Sequence, residues 1–200
     1  MVACMRQGLT EHGITEIVAV ADHISGLSQA GATLLLEPDL DRAVEESTAA
    51  TVGLPDGADD PRLADLWREI QEREGRRLGL DRLPNFWRVL GHDYLYLRAT
   101  WRKELVVMAA GELNEEAKQV MALAVAAANH SRYFTAYYTR ILRQRGYGDR
   151  QFVRIAAMAD HFTSFNRLTT GLDVDRGQQD PSWGRTIPEQ ARAPEATPTR

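Results

Sequence analysis

Asn114-Glu115-Glu116-Ala117-Lys118-Gln119-Val120-Met121-Ala122-Leu123-Ala124-Val125-Ala126-Ala127-Ala128 is the stretch that decides the fold. Asparagine is a favoured N-cap, and two glutamates in the first turn suit the positive end of the helix dipole. The apolar residues that follow leave almost no polar face, which predicts a central, buried helix. Asn129-His130-Ser131 then interrupts it with polar residues suited to a cap or kink. Downstream, Tyr133, Phe134, Tyr137, Tyr138, Ile141 and Leu142 recur at helical spacing as far as Gly146, a candidate C-terminal glycine. Asp149 is the expected cap of a last helix with Phe152, Ile155, Ala159, Phe162 and Phe165 on its apolar face. Upstream, Thr10 is placed to cap a helix carrying Ile14, Ile17, Val18, Ala21, Ile24 and Leu27 and ending before Pro38. Residues 47–60, with Gly53, Pro55 and Gly57, read as a loop. Asp60-Pro61 opens a helix with Leu63, Leu66, Trp67 and Ile70, and Pro84 opens a segment with Phe86, Trp87 and Leu90. Strand alternation is absent, so the expected class is all-α.

Composition narrows the setting. Two hundred residues suit one domain or two small ones, and 44% hydrophobic with 26% charged residues is ordinary for a globular chain. A net charge of −4 argues against a dedicated nucleic-acid binder. No apolar run reaches the roughly 18–20 residues needed to span a membrane, and the N-terminus lacks a signal-peptide layout. The expected location is therefore cytoplasmic, without membrane attachment. Cys4 is the one cysteine, which excludes an intrachain disulfide and any multi-cysteine metal or redox centre within one chain. With no His/carboxylate cluster at ligand spacing, neither a metal nor another cofactor is expected.

Charge is uneven. Residues 37–74 hold twelve acids against four arginines, a balance of −8, whereas residues 83–155 carry a balance of +5. The expected organisation is an N-terminal helical partial repeat over 1–46, an acidic connector with one helix over 47–82, a helical domain over 83–174 and an extended or disordered tail over 175–200. The repeat is read at a shift of 138. It aligns Gly8 with Gly146, Ile17 with Ile155, Ala21 with Ala159, and Asp22-His23 with Asp160-His161.

Residues 83–174 resemble the carboxymuconolactone decarboxylase and alkylhydroperoxidase D superfamily. The resemblance rests on Pro84-Asn85-Phe86-Trp87-Arg88-Val89-Leu90-Gly91-His92-Asp93, Ala99-Thr100-Trp101, Gly111-Glu112-Leu113, the 118–125 run, Asn129, Tyr133, Gly146 and Asn166-Arg167-Leu168, in that order. It implies an alkylhydroperoxidase D-like helical bundle, with the N-terminal helix a partial repeat of the closing helix, and subunits that assemble as a homo-oligomer. The peroxidase branch works through E-x11-C-x2-C-x3-H. Alignment on Asn129 and Tyr133 puts Gln119 at the glutamate, Ser131 and Phe134 at the cysteines, and Tyr138 at the histidine. The dithiol is lost, and dithiol peroxidase activity is not expected.

The junction between the two helices still offers polar groups. His130 is the candidate general acid or base, since imidazole titrates near neutrality, and Tyr138 the candidate donor to a developing oxyanion. Gln119, Ser131, Tyr133, Tyr137 and His161 are the candidate substrate-binding residues. The resemblance and these residues together imply cofactor-independent acid/base chemistry, of decarboxylase, lyase or isomerase type, on a small and possibly anionic organic acid or lactone. The alternative is a non-catalytic oligomeric binding protein on a degenerate scaffold. A junction filled by Phe134 and neighbouring aromatics would favour that alternative.

Overall fold

The computed structural model describes residues 8–40, 52–55 and 60–171, with the side chains of Phe162 and residues 165–171 excepted. Residues 1–7, the acidic stretch 41–51, residues 56–59 and the chain from 172 onward, with the expected tail, lie outside the described residues. The described residues are helical, with no strand among them. In chain order they form α1 (Glu11–Thr33), α2 (Pro61–Ile70), a π-helical turn (Gln71–Gly75), α3 (Arg76–Leu78), α4 (Asn85–Val89), a 3₁₀ turn (Leu90–His92), α5 (Tyr94–Val107), α6 (Glu115–Ala128), α7 (Arg132–Gln144) and α8 (Asp149–Gly171). Contacts divide the chain into two compact units, residues 1–163 and 164–200.

The starts of these helices follow sequence chemistry closely. Thr10, Asp60, Asn114 and Ser131 each accept a backbone N–H of the first turn through the side chain. Pro84 precedes α4, as expected. Asp149 differs: it is the first helical residue, and its carboxylate meets Arg143 at 2.5 Å. The cap belongs to Gly148, whose carbonyl accepts from Gln151 and Phe152 while the Gln151 side chain accepts the Gly148 N–H at 3.0 Å. A glutamine two residues after Asp149 completes this return bond, the same reciprocity as in a capping box.

α6 packs against α7 and α1, and α1 also meets α5 and α7. The central position of α6 agrees with its sequence, but its burial is one-sided. Gln119, Ala122, Leu123 and Ala126 are buried, whereas Val120, Met121, Ala124 and Val125 are half-covered and Ala128 is exposed. α2, α4 and α5 close the other side around an aromatic centre of Phe86, Trp87, Trp101, Tyr133, Phe134, Tyr137 and Tyr138, all buried. Residues 60–82 do more than connect, because Leu63, Leu66, Ile70 and Leu78 enter this core. Gly91 has to be glycine at this packing distance: a Cβ there would run into the Trp67 ring.

α1 and α8 have the same length, 23 residues, and the shift of 138 carries the bounds of one onto the other. The glycines ahead of them, Gly8 and Gly146, share φ +89°. Their environments differ. α1 buries Val20, His23, Ile24 and Leu27, whereas on α8 Ile155 is buried and Val153 and Met158 are exposed by 68% and 60%.

Candidate functional site

The α6–α7 junction is built by backbone rules. His130 takes the left-handed conformation, φ +54°, at the end of α6. Its N–H bonds the Ala127 carbonyl at 3.0 Å and the Ser131 N–H bonds the Ala126 carbonyl at 2.9 Å, the paired bonds of a Schellman ending. Ser131 then caps α7 through the Phe134 N–H at 3.4 Å. His130 is exposed, and Tyr138 is 1% exposed in the core, so the proposed acid/base pair is split between surface and interior. Phe134 is buried beside the junction, edge-on to Phe86 at 4.7 Å and against Tyr133 at 5.3 Å. Gln119 is buried with Oε1 unbonded among the described residues. His161 is exposed on α8.

Tyr133 and Tyr137 are tied into two buried polar clusters. The Tyr133 hydroxyl donates to Asp39 Oδ1 at 2.8 Å and accepts the Phe86 N–H. Asp39 Oδ2 also receives the Asn85 N–H at 2.9 Å and the Arg82 guanidinium at 3.2 Å. This cluster fastens the chain after α1 to the start of α4 and to α7.

The second cluster is a chain of charge across the core. His23 Nε2 lies 2.8 Å from Glu104 Oε2, with both side chains buried. Glu104 Oε1 receives Arg77 at 3.3 Å, and Arg77 also bonds Glu74 Oε1 at 2.5 Å. The Tyr137 hydroxyl donates to Glu74 Oε2 at 2.5 Å and accepts from the Trp87 indole at 3.3 Å. Two carboxylates thus share one guanidinium. Burial pushes the Glu74 carboxyl above the ordinary glutamate range, against the pull of Arg77. Burial also acts to raise Glu104, but the hydrogen bond from His23 and the charge of Arg77 outweigh it, and the net shift is downward. Burial works against the Arg77 charge, yet Glu74 and Glu104 hold it firmly protonated. Burial, with Glu74 next to Tyr137 and Glu104 near Tyr138, raises both phenols well above their usual range. Tyr138 is therefore a weak proton donor where it stands.

Because Glu104 is ionised and can only accept, His23 donates from Nε2. In that tautomer Nδ1 carries the lone pair. His23 is 2% exposed and lines a cleft of about 260 Å³ between α1 and α5, together with Gly26, Leu27, Tyr96, Thr100 and Lys103. At the rim Lys103 meets Asp22 at 2.6 Å. Gly26 and Tyr96 also line a larger, mainly apolar cleft of about 530 Å³ that continues to Leu34, Val52, Val89 and Leu90. The combination of a cavity, a convergent imidazole and a buried carboxylate behind it is a catalytic type of arrangement.

Of this constellation, the sequence singles out Asp22-His23, as part of the repeat with Asp160-His161. Glu74, Arg77 and Glu104 pass unnoticed. Their signal is a charge on an apolar stripe: Leu97, Trp101, Glu104 and Met108 share one face of α5, and Ile70, Glu74 and Leu78 follow at spacings of four. Among the described residues no group of His, Cys, Asp and Glu side chains is arranged to hold a metal ion, and no helix is long and apolar enough to cross a membrane. Comparison with protein-family models, curated proteins and solved structures gives no match.

Proposed function

We propose that the chain is a cofactor-independent acid/base enzyme acting on a small organic molecule in the α1/α5 cleft, with His23 as the general base. The observation that carries this reading is the 2.8 Å pairing of buried Glu104 with His23, a residue that lines that cleft. Glu104 fixes the tautomer that leaves Nδ1 basic and offsets the imidazolium formed when a proton is taken. Arg77 anchors the far side of Glu104, so the carboxylate keeps its orientation through the proton transfer. Tyr137 and Trp87 hold Glu74, which keeps Arg77 in place. Lys103 and Thr100 at the rim are suited to an oxyanion of the substrate. The reading stays within the decarboxylase, lyase or isomerase class implied by the resemblance, and moves its base from His130 to His23. It keeps the alkylhydroperoxidase D-like bundle as the fold. The equal bounds of α1 and α8 and the shared φ of Gly8 and Gly146 support duplication of the closing helix. A homo-oligomer goes with the same resemblance.

One observation favours the second reading, a binding protein without turnover: the junction is filled by Phe134, Tyr133 and Tyr137. A panel of small carboxylic acids and lactones, followed for CO2 release or isomerisation, separates the two. Under the enzyme reading, His23→Gln lowers turnover by about a hundredfold or more while the helical signal persists, and His130→Ala leaves it intact. Loss with His130→Ala and retention with His23→Gln would overturn it.

A further inference from the structure

The two clefts follow one another along α1 and meet at Gly26 and Tyr96, and together are taken as one groove. His23, Leu27, Ala30 and Leu34 line it in sequence, at spacings of four, three and four, the repeat of a single helix face. From His23 to Leu34 the α-helical rise gives roughly 16 Å. The groove is thus elongated, and its ends differ in chemistry. At one end stand His23, Thr100 and Lys103. Asp22 occupies one of the three N–H donors of the Lys103 ammonium and leaves two for a ligand. At the other end Leu34, Val52, Val89 and Leu90 present branched aliphatic carbon, with Gln29, Thr33, His92 and Asp93 at its border.

We propose that this groove takes an unbranched aliphatic carboxylate of medium chain length, its head on the donors of Lys103 and Thr100 beside His23 and its tail against Leu34, Val89 and Leu90. The proposal names the ligand class of the cleft in which the enzyme reading puts its chemistry, and rests on that reading for turnover only. Each added methylene removes a fixed increment of apolar surface from water until the groove is full.

Titration of the full chain with hexanoate, octanoate and decanoate tests it directly. Affinity rises about tenfold for every two methylenes. Lys103→Gln weakens decanoate by about tenfold and leaves decanol unchanged. Gly26 supports the sharpest control, because a Cβ there meets nothing within 4 Å. Gly26→Leu grows into the groove without displacing the core, and abolishes binding of all three acids while the unfolding midpoint holds or rises, since glycine is a poor residue inside a helix. Gly26→Ala, the smaller step, keeps most of the affinity. A flat chain-length series, decanoate binding that survives Gly26→Leu, or naphthoate binding as tightly as decanoate would overturn the proposal. Graded binding with no turnover removes the enzyme reading and upholds the ligand class. His23-dependent turnover of short acids without the gradient does the reverse.

Discussion

Arg77 is the residue on which the buried charge turns. Removing one partner from a buried ion network leaves an uncompensated charge, at a cost of about 3–5 kcal/mol, whereas the intact network contributes little net stability. Glu74 and Glu104 sit on opposite sides of the ordinary glutamate value, so their neutral variants respond to pH with opposite signs. The fold favours protonated Glu74. That stability is full below the ordinary value and lost as pH rises through the raised one, so Glu74→Gln gains on the parent with rising pH across that window. Glu104 is depressed, and its contribution is present above the ordinary value and lost as pH falls through the lowered one. Relative to the parent, Glu104→Gln therefore loses ground as pH rises between those two values, then levels off. Urea unfolding from pH 3 to 8 measures both slopes, and slopes of equal sign would contradict the network as described.

Helix ends show how far a sequence can be read. Thr10, Asp60, Asn114, Ser131 and Gly146 announce their positions because capping is local chemistry: one side-chain oxygen, or one missing Cβ, near its own backbone. His130 is read by the same local chemistry. An imidazole at a helix junction resembles a catalyst, but the backbone uses the position as a left-handed stop, where an L-residue is disfavoured by about 1–2 kcal/mol. His130→Gly should therefore raise the thermal midpoint while preserving helicity. A lowered midpoint would show that the imidazole itself stabilises the junction. The groove-side histidine was visible in the sequence, but its carboxylate partner lies 81 residues away, and no local pattern joins two such positions.

At the scale of the molecule, long-range pairing decides what each helix does. The stripe of Leu97, Trp101, Glu104 and Met108 acquires its meaning from Arg77 and His23, which arrive from α3 and α1. All-α class, helix order and most caps were legible. The charge network and the groove were not, because both exist only between elements. The matched pair α1 and α8 turns that distinction into a measurement. Two helices of equal length, opened by glycines of the same φ and carrying the same Asp-His dipeptide, sit in unlike surroundings within one chain. Each amide of 17–25 then has its own reference at 155–163, in the same tube and at the same pH. Hydrogen–deuterium exchange should run slower in the first stretch than in the second, since opening α1 also opens the core. The ratio, residue by residue, reads out what tertiary packing adds to a helix after its sequence has been paired against its near-copy.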